Sequence, residues 1–281
     1  MKIEPIYFKG RRFWILRDDL IRGEFNGNKA RKLAYFLNLN PINRFISHGS
    51  SQSNAMYSIS VLAKMRGVKF LYFTHHICDF LLKNPCGNYA AALKNGMEIH
   101  LSDNPSQSAK NECKYSQDIF IPEGVAMSEA ELGFKEQAKI IMDFAKKNGI
   151  KFDIFLPSGT GCSAAFLAKN LDDMAVWTTP CVGDSDYLKR EILLLDPFSK
   201  VNILNPPKKY HFGKIYPEIY AIYKELLDSC GVEFELLYDG VGWLTLMANL
   251  DIFKGEILYI HQGGMLGNIT LLDRYRRKFD M

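Results

Sequence analysis

Between Ile42 and Leu101 the chain alternates short apolar runs, each ending at a polar or glycine turn, with runs of helical period. Residues 42–49 read as a strand that stops at Gly49, Ala55 to Arg66 as a helix, and Lys69 to Thr74 as a second strand. Short helices through Cys78–Lys83 and Asn88–Asn95 and a strand from Glu98 to Leu101 complete the unit. Parallel neighbours need a crossover, and a helix is the usual one, so this order predicts a parallel α/β arrangement. Residues 102–118 are polar and read as a long loop. A helix from about Ser128 to Asn148 follows, with Leu132, Ala138, Ile141, Met142 and Ala145 as its core face. The alternation then resumes: strands at Phe152–Leu156 and Met174–Thr178, helices at Asp184–Leu195 and Tyr216–Gly231, a strand at Glu235–Tyr238 and a last strand from Ile257.

With 281 residues, 47% of them hydrophobic, the chain is long enough for one large or two smaller domains with a proper core. The net charge of +4 comes from 35 basic and 31 acidic residues scattered along the chain, which argues against a nucleic-acid or membrane-surface partner. Six cysteines with no Cys-x-x-Cys pair or zinc spacing read as reduced thiols, and no metal site is expected. No run approaches the roughly 18 apolar residues of a membrane span, and Met1-Lys2-Ile3-Glu4 does not open a signal peptide, so a cytoplasmic enzyme is expected.

Four stretches carry candidate chemistry. In Gly27-Asn28-Lys29-Ala30-Arg31-Lys32-Leu33 a loop becomes a helix, and Lys29 and Lys32 share one face, a spacing that suits a Schiff base beside a phosphate as well as a solvated first turn. The strand ending at Leu156 runs into Pro157-Ser158-Gly159-Thr160-Gly161-Cys162, where backbone N–H groups and a helix N-terminus make an anion site, or a small-residue packing turn. Gln52-Ser53-Asn54 opens a helix, as a carboxylate site or as a serine N-cap cluster; it lacks the second glycine of a hydrolase elbow. Tyr238-Asp239-Gly240 and His261-Gln262-Gly263-Gly264 follow the last two predicted strands, and Asp239 there suits a helix cap equally well.

In this order, with Arg17-Asp18-Asp19-Leu20 before them, the motifs resemble those of the pyridoxal phosphate (PLP) enzymes of the tryptophan synthase β fold (fold type II). The likeness is strongest to the family of 1-aminocyclopropane-1-carboxylate (ACC) deaminase and D-cysteine desulfhydrase, and it spans nearly the whole chain. The resemblance implies an α/β protein of two three-layer α/β/α domains, with residues 1–35 and 123–281 as the large PLP-binding domain, 36–122 as the small one, and the cofactor in the cleft between them. It assigns Lys29 to carry PLP, and Lys32, Ser158, Gly159, Thr160 and Gly161 to its phosphate. Asn54 goes to the ring oxygen and Asp239 to the neighbourhood of the pyridine nitrogen. Ser53 and Gln52 hold the substrate carboxylate, Ser53 and Tyr238 take part in the chemistry, and an aromatic residue of the segment 206–216, Tyr210 or Tyr216, reaches the substrate.

The implied reaction is release of ammonia and a keto acid from a small amino acid: 2-oxobutanoate from ACC, or pyruvate with sulfide from D-cysteine, with D-serine or another D-amino acid also open. Dimers are common among such enzymes, so a homodimer is the assembly this suggests. The pattern is altered in places. Asn26-Gly27 stands for paired glycines, Val125-Ala126 follows Glu123-Gly124 in place of a Gly-Ser-type continuation, and Val241-Gly242-Trp243 lacks the usual lysine after Gly240. A catalytically weak PLP or amino-acid sensor is the alternative these departures leave.

Overall fold

A computed structural model describes residues 2–279. It contains two sheets, and the chain begins in one, crosses to the other and returns. Strands β1 (Ile3–Phe8) and β2 (Arg11–Arg17) form an antiparallel hairpin through a turn with Lys9 and Gly10 at positive φ. Helix α1 (Gly27–Lys32) and a 3-10 turn (Ala34–Leu37) lead to β3 (Arg44–His48), α2 (Asn54–Arg66) and β4 (Lys69–Thr74). Then come α3 (Asp79–Lys83), α4 (Gly87–Lys94), β5 (Met97–Leu101), α5 (Pro105–Glu112) and β6 (Asp118–Ile121). The return is made by α6 (Glu131–Asn148), β7 (Phe152–Ser158), α7 (Cys162–Lys169), β8 (Ala175–Pro180) and α8 (Ser185–Leu195). The chain finishes with β9 (Asn202–Ile203), α9 (Pro217–Cys230), α10 (Asp239–Ala248), β10 (Glu256–His261) and α11 (Asn268–Phe279).

The first sheet has the order β1-β2-β10-β7-β8-β9, parallel from β2 onward, and the second is the parallel sheet β5-β4-β3-β6. Strand alternation divides the larger core. From β10, Leu258 and Ile260 face Phe134, Ile141 and Leu156, whereas Ile257 and Tyr259 face Phe13, Phe155, Leu226 and Trp243 on the other side. The second sheet packs on Phe36, Met56, Ile59, Leu62 and Leu81 through Phe45, Phe70 and Tyr72. Parallel strands end on the same side of their sheet, so the turns after β2, β7 and β10 form one rim, and the turn after β3 lies on the rim of the other sheet.

Several expectations are corrected. The polar stretch 102–118 contains α5, capped by Asn104 Oδ1 accepting from Gln107 N–H at 3.1 Å and started by Pro105, with Ala109 as its one buried residue. Leu132 is 44% exposed, because a 3-10 turn at Ser128–Ala130 precedes α6 and offsets its face. Residues 235–238 form a turn instead of a strand, since the Glu235 and Asp239 side chains take up its backbone N–H groups. Among the described residues no helix is long and apolar enough to cross a membrane.

Candidate active site

Helix α1 is placed by its first residues. Gly27 has φ 69°, and an added Cβ would lie 2.3 Å from the Gln262 carbonyl oxygen, so only glycine permits this approach to the turn after β10. Asn26, which stands for the first of the expected glycines, is extended, with φ −130°, and needs no left-handed conformation. Asn28 donates from its backbone N–H to Gln262 O (2.9 Å) and from Nδ2 to Gln262 Oε1 (2.8 Å), while Gln262 Nε2 donates to Pro157 O (2.7 Å). The turns after β2, β7 and β10 are thereby stitched together. Beneath them Arg31 pairs in a bidentate fashion with fully buried Asp18, to which Gln137 Nε2 also donates (2.7 Å).

Lys29 projects from this anchored turn and is partly buried. Desolvation, and then the neighbouring Lys32 charge, lower its amine to about 7. Lys32 is 3% exposed and donates to Gly124 O at 2.8 Å. Gly124 in turn abuts Thr160, since a Cβ on it would sit 2.8 Å from Thr160 Cγ2. The buried ammonium therefore stands against the loop Gly159-Thr160-Gly161, where Gly161, at φ 71°, caps the N-terminus of α7. Ser158 Oγ accepts from Thr178 Oγ1 at 2.7 Å inside the sheet, so the backbone of the next three residues presents the donors. Val125 beside this loop is held at φ 54° and fully buried, a strained conformation for a β-branched residue.

On the turn after β3, Ser53 caps α2, its Oγ accepting from the N–H groups of Ala55 (3.1 Å) and Met56 (3.4 Å). Gln52 is exposed at the turn. Buried Asn88, which the sequence did not single out, donates from Nδ2 to Gln52 O (3.0 Å) and Asn54 Oδ1 (2.7 Å). That engagement turns the Asn54 amide nitrogen toward the glycines after β10, where a Cβ on Gly264 would lie 2.8 Å from it. Tyr72, also unforeseen, donates from its hydroxyl to Ser50 O at 3.0 Å and braces the same turn.

The turn before α10 brings Tyr238, Asp239 and Glu235 to the site. Burial, and then Glu235, raise the Tyr238 phenol, whose ring stands over the loop: a Cβ on Gly159 would be 3.3 Å from its Cε1. Asp239 is 1% exposed, and both its oxygens are engaged, Oδ1 by Tyr259 OH (2.7 Å) and Oδ2 by Glu235 N–H (3.1 Å). Tyr210 packs edge-on against Tyr216 at 5.1 Å, and its phenol is raised to about 12 by burial and then by Glu218. Tyr216 accepts from His211 N–H at 3.0 Å. The ring of this segment that meets Tyr238 is Phe212, at 5.4 Å.

The donor set suits PLP: an amine near neutrality, a buried ammonium beside a glycine-built helix N-terminus, and one buried carboxyl oxygen, Glu235 Oε1, without a hydrogen-bond partner.

No family model matches the chain. It is 24% identical to a D-cysteine desulfhydrase of Yersinia pestis, over 92% of this chain and 88% of that one. It is 26% identical to a Pyrococcus horikoshii protein provisionally named as an ACC deaminase, over 94% and 88%. Among solved structures, the crystal structure of an ACC deaminase homologue superposes with a TM-score of 0.79 and 21% identity, covering 98% of this chain and 93% of that one. The fold is thus the tryptophan synthase β-like, two-sheet α/β fold expected from the sequence.

Proposed function

We propose that this chain is a PLP-dependent lyase that deaminates a small amino acid, as an ACC deaminase or a D-cysteine desulfhydrase does. The observation that carries this reading is the Lys29 amine, lowered to about 7 and set beside Lys32 and the N-terminus of α7. When bound, PLP supplies an electron sink for the pair of electrons released at or near the substrate α-carbon. Lys29, half neutral near pH 7, is the nucleophile that holds the cofactor and, once displaced, the nearest base to the α-carbon. Lys32 and the backbone of Gly159, Thr160 and Gly161 hold the phosphate, and Asn54, oriented by Asn88, donates to the ring oxygen.

The substrate carboxylate docks at the N-terminus of α2 on Ser53 and the neighbouring amides. Tyr238, whose phenol burial keeps protonated, presents a proton on the opposite side, and Phe212 covers that ring from solvent. With ACC the products are 2-oxobutanoate and ammonia; with D-cysteine they are pyruvate, sulfide and ammonia. In this scheme residues 36–122 form the small domain and the remainder the large one, with the cofactor between them.

The test is a visible spectrum of the purified protein with added PLP, before and after D-cysteine, ACC, D-serine and L-serine. A yellow band that is lost in Lys29→Ala, and that shifts with release of ammonia and keto acid from one compound, is the expected result. A band of equal strength in Lys29→Ala would overturn the assignment.

A further inference from the structure

We propose that Glu235, and not Asp239, is the acid that faces the bound cofactor ring and holds the proton on its nitrogen. This rests on the PLP reading above. Asp239 is the residue that the motif Tyr-Asp-Gly offers, but each of its oxygens already accepts a hydrogen bond within the fold. Tyr259 OH takes one oxygen, the Glu235 N–H takes the other, and His261 is the cation-capable group whose charge bears on it. These contacts point it toward the centre of the larger sheet.

Glu235 is placed differently. It is 2% exposed; Oε2 accepts from Tyr238 N–H at 2.7 Å, and Oε1 has no partner. That idle oxygen lies in the glycine turn after β10: a Cβ built on Gly267 would be 3.6 Å from Oε1 and 3.5 Å from Asn54 Oδ1. A Cβ built on Gly264 would touch both the Glu235 side chain (3.2 Å) and the Asn54 amide nitrogen (2.8 Å). Glu235 and Asn54 therefore meet at the same glycine turn from the two sheets, and Lys29 is the cation that acts on Glu235. A buried carboxyl oxygen without a donor is costly in a folded protein, and such atoms mark places where a partner is missing.

Burial and then the charge of Asp239 raise Glu235 well above the carboxylate range, so it enters the encounter as a neutral acid. On cofactor binding its O–H bond breaks and the proton passes to the ring nitrogen, leaving a carboxylate paired with the cation so formed. Asp239 is then a positioning residue: it takes the Glu235 N–H and, through its own charge, keeps the proton on Glu235 until the ring arrives.

The decisive experiment is the nitrogen NMR shift of ¹⁵N-ring-labelled PLP bound to the wild-type protein, Glu235→Gln and Asp239→Asn. The expected pattern is a protonated ring nitrogen in wild type and Asp239→Asn, an unprotonated one in Glu235→Gln, and about tenfold weaker PLP binding in Glu235→Gln as a charge-assisted hydrogen bond becomes a neutral one. A protonated ring in Glu235→Gln, or loss of protonation only in Asp239→Asn, overturns the proposal and leaves the PLP reading standing. Absence of bound PLP in the wild type overturns both. Should either variant fail to fold, infrared difference spectra of the wild type carrying glutamate ¹³C-labelled at its side-chain carboxyl, with and without PLP, decide: loss of an isotope-shifted buried protonated-carboxyl band on binding supports the proposal, and no such shifted band in the cofactor-free protein refutes it.

Discussion

The depressed amine of Lys29 sets a pH dependence of stability that can be worked out from the structure. In the cofactor-free protein the folded amine titrates near 7, against 10.5 for the unfolded chain. Between those values the unfolded state holds a proton that the folded state has shed, so stability rises with pH across that window and is flat below it. At about 1.4 kcal/mol per unit, the shift amounts to roughly 5 kcal/mol against the folded protein at and below pH 7. Lys29 keeps some contact with solvent, so we discount this to about 2–4 kcal/mol. Lys29→Met removes the ionisable group and keeps the apolar stem. The variant is therefore expected to be more stable than the wild type by about 2–4 kcal/mol at pH 6, with the gap closing steadily toward pH 10. Urea unfolding of both proteins at a series of pH values, without PLP, measures the gap, and all other titrations cancel in the difference. A gap that is constant with pH, or that widens above pH 7, would refute the placement of the amine in a desolvated site. The same shift makes the neutral fraction of this amine at pH 7 on the order of a thousandfold larger than that of a surface lysine, which selective labelling by an amine reagent would register.

Other expectations follow from single contacts. Lys32→Met, which removes a buried ammonium from beside Gly124 and Thr160, is expected to weaken PLP about tenfold to a hundredfold while leaving affinity for phosphate-free pyridoxal nearly unchanged, as titration of the visible band would show. Gly27→Ala must adopt φ 69° with its Cβ at 2.3 Å from the Gln262 oxygen, so thermal or urea unfolding should report a loss of about 2–4 kcal/mol. Asn88→Ala frees the Asn54 amide to flip and strips a donor from Gln52 O; a stability loss of about 1–2 kcal/mol is expected, with weaker PLP binding in excess of that seen for Asn95→Ala on the same side of the small sheet.

What the sequence displayed was chiefly local. Most of the strand–helix alternation, the helix ending at Gly231, and the glycine loop before α7 are each encoded within a few residues and are present in the structure. Strand β1 was not legible, because its pattern Ile-Glu-Pro-Ile-Tyr-Phe carries a proline and a half-exposed face and becomes a strand only by pairing with β2 at the sheet edge. Helix α5 has almost no apolar face, so periodicity missed it, although Asn104-Pro105 is a cap and first-turn signal. The apolar Leu236-Leu237 imitated a strand, while the decisive contacts there are two carboxyl groups taking backbone N–H bonds across the turn.

The candidate site divides along the same line between local and long-range information. Lys29 and Lys32 were legible because helical spacing fixes them on one face whatever the tertiary structure does. Which carboxyl keeps an oxygen without a partner was not, since Glu235 and Asp239 lie four residues apart in a turn whose course is set by partners far away in the chain. Tyr259 donates to Asp239 from β10, Asn268 Oδ1 accepts the Leu236 N–H from α11, and Asn268 Nδ2 donates to Phe234 O. Those three bonds rotate the turn so that the shorter acid enters the sheet and the longer one reaches the glycines. Asp239 matched the motif, and a motif records residue type and order only. A buried carboxyl is assigned by the hydrogen bonds it already makes, and Glu235 is the one with an oxygen left over.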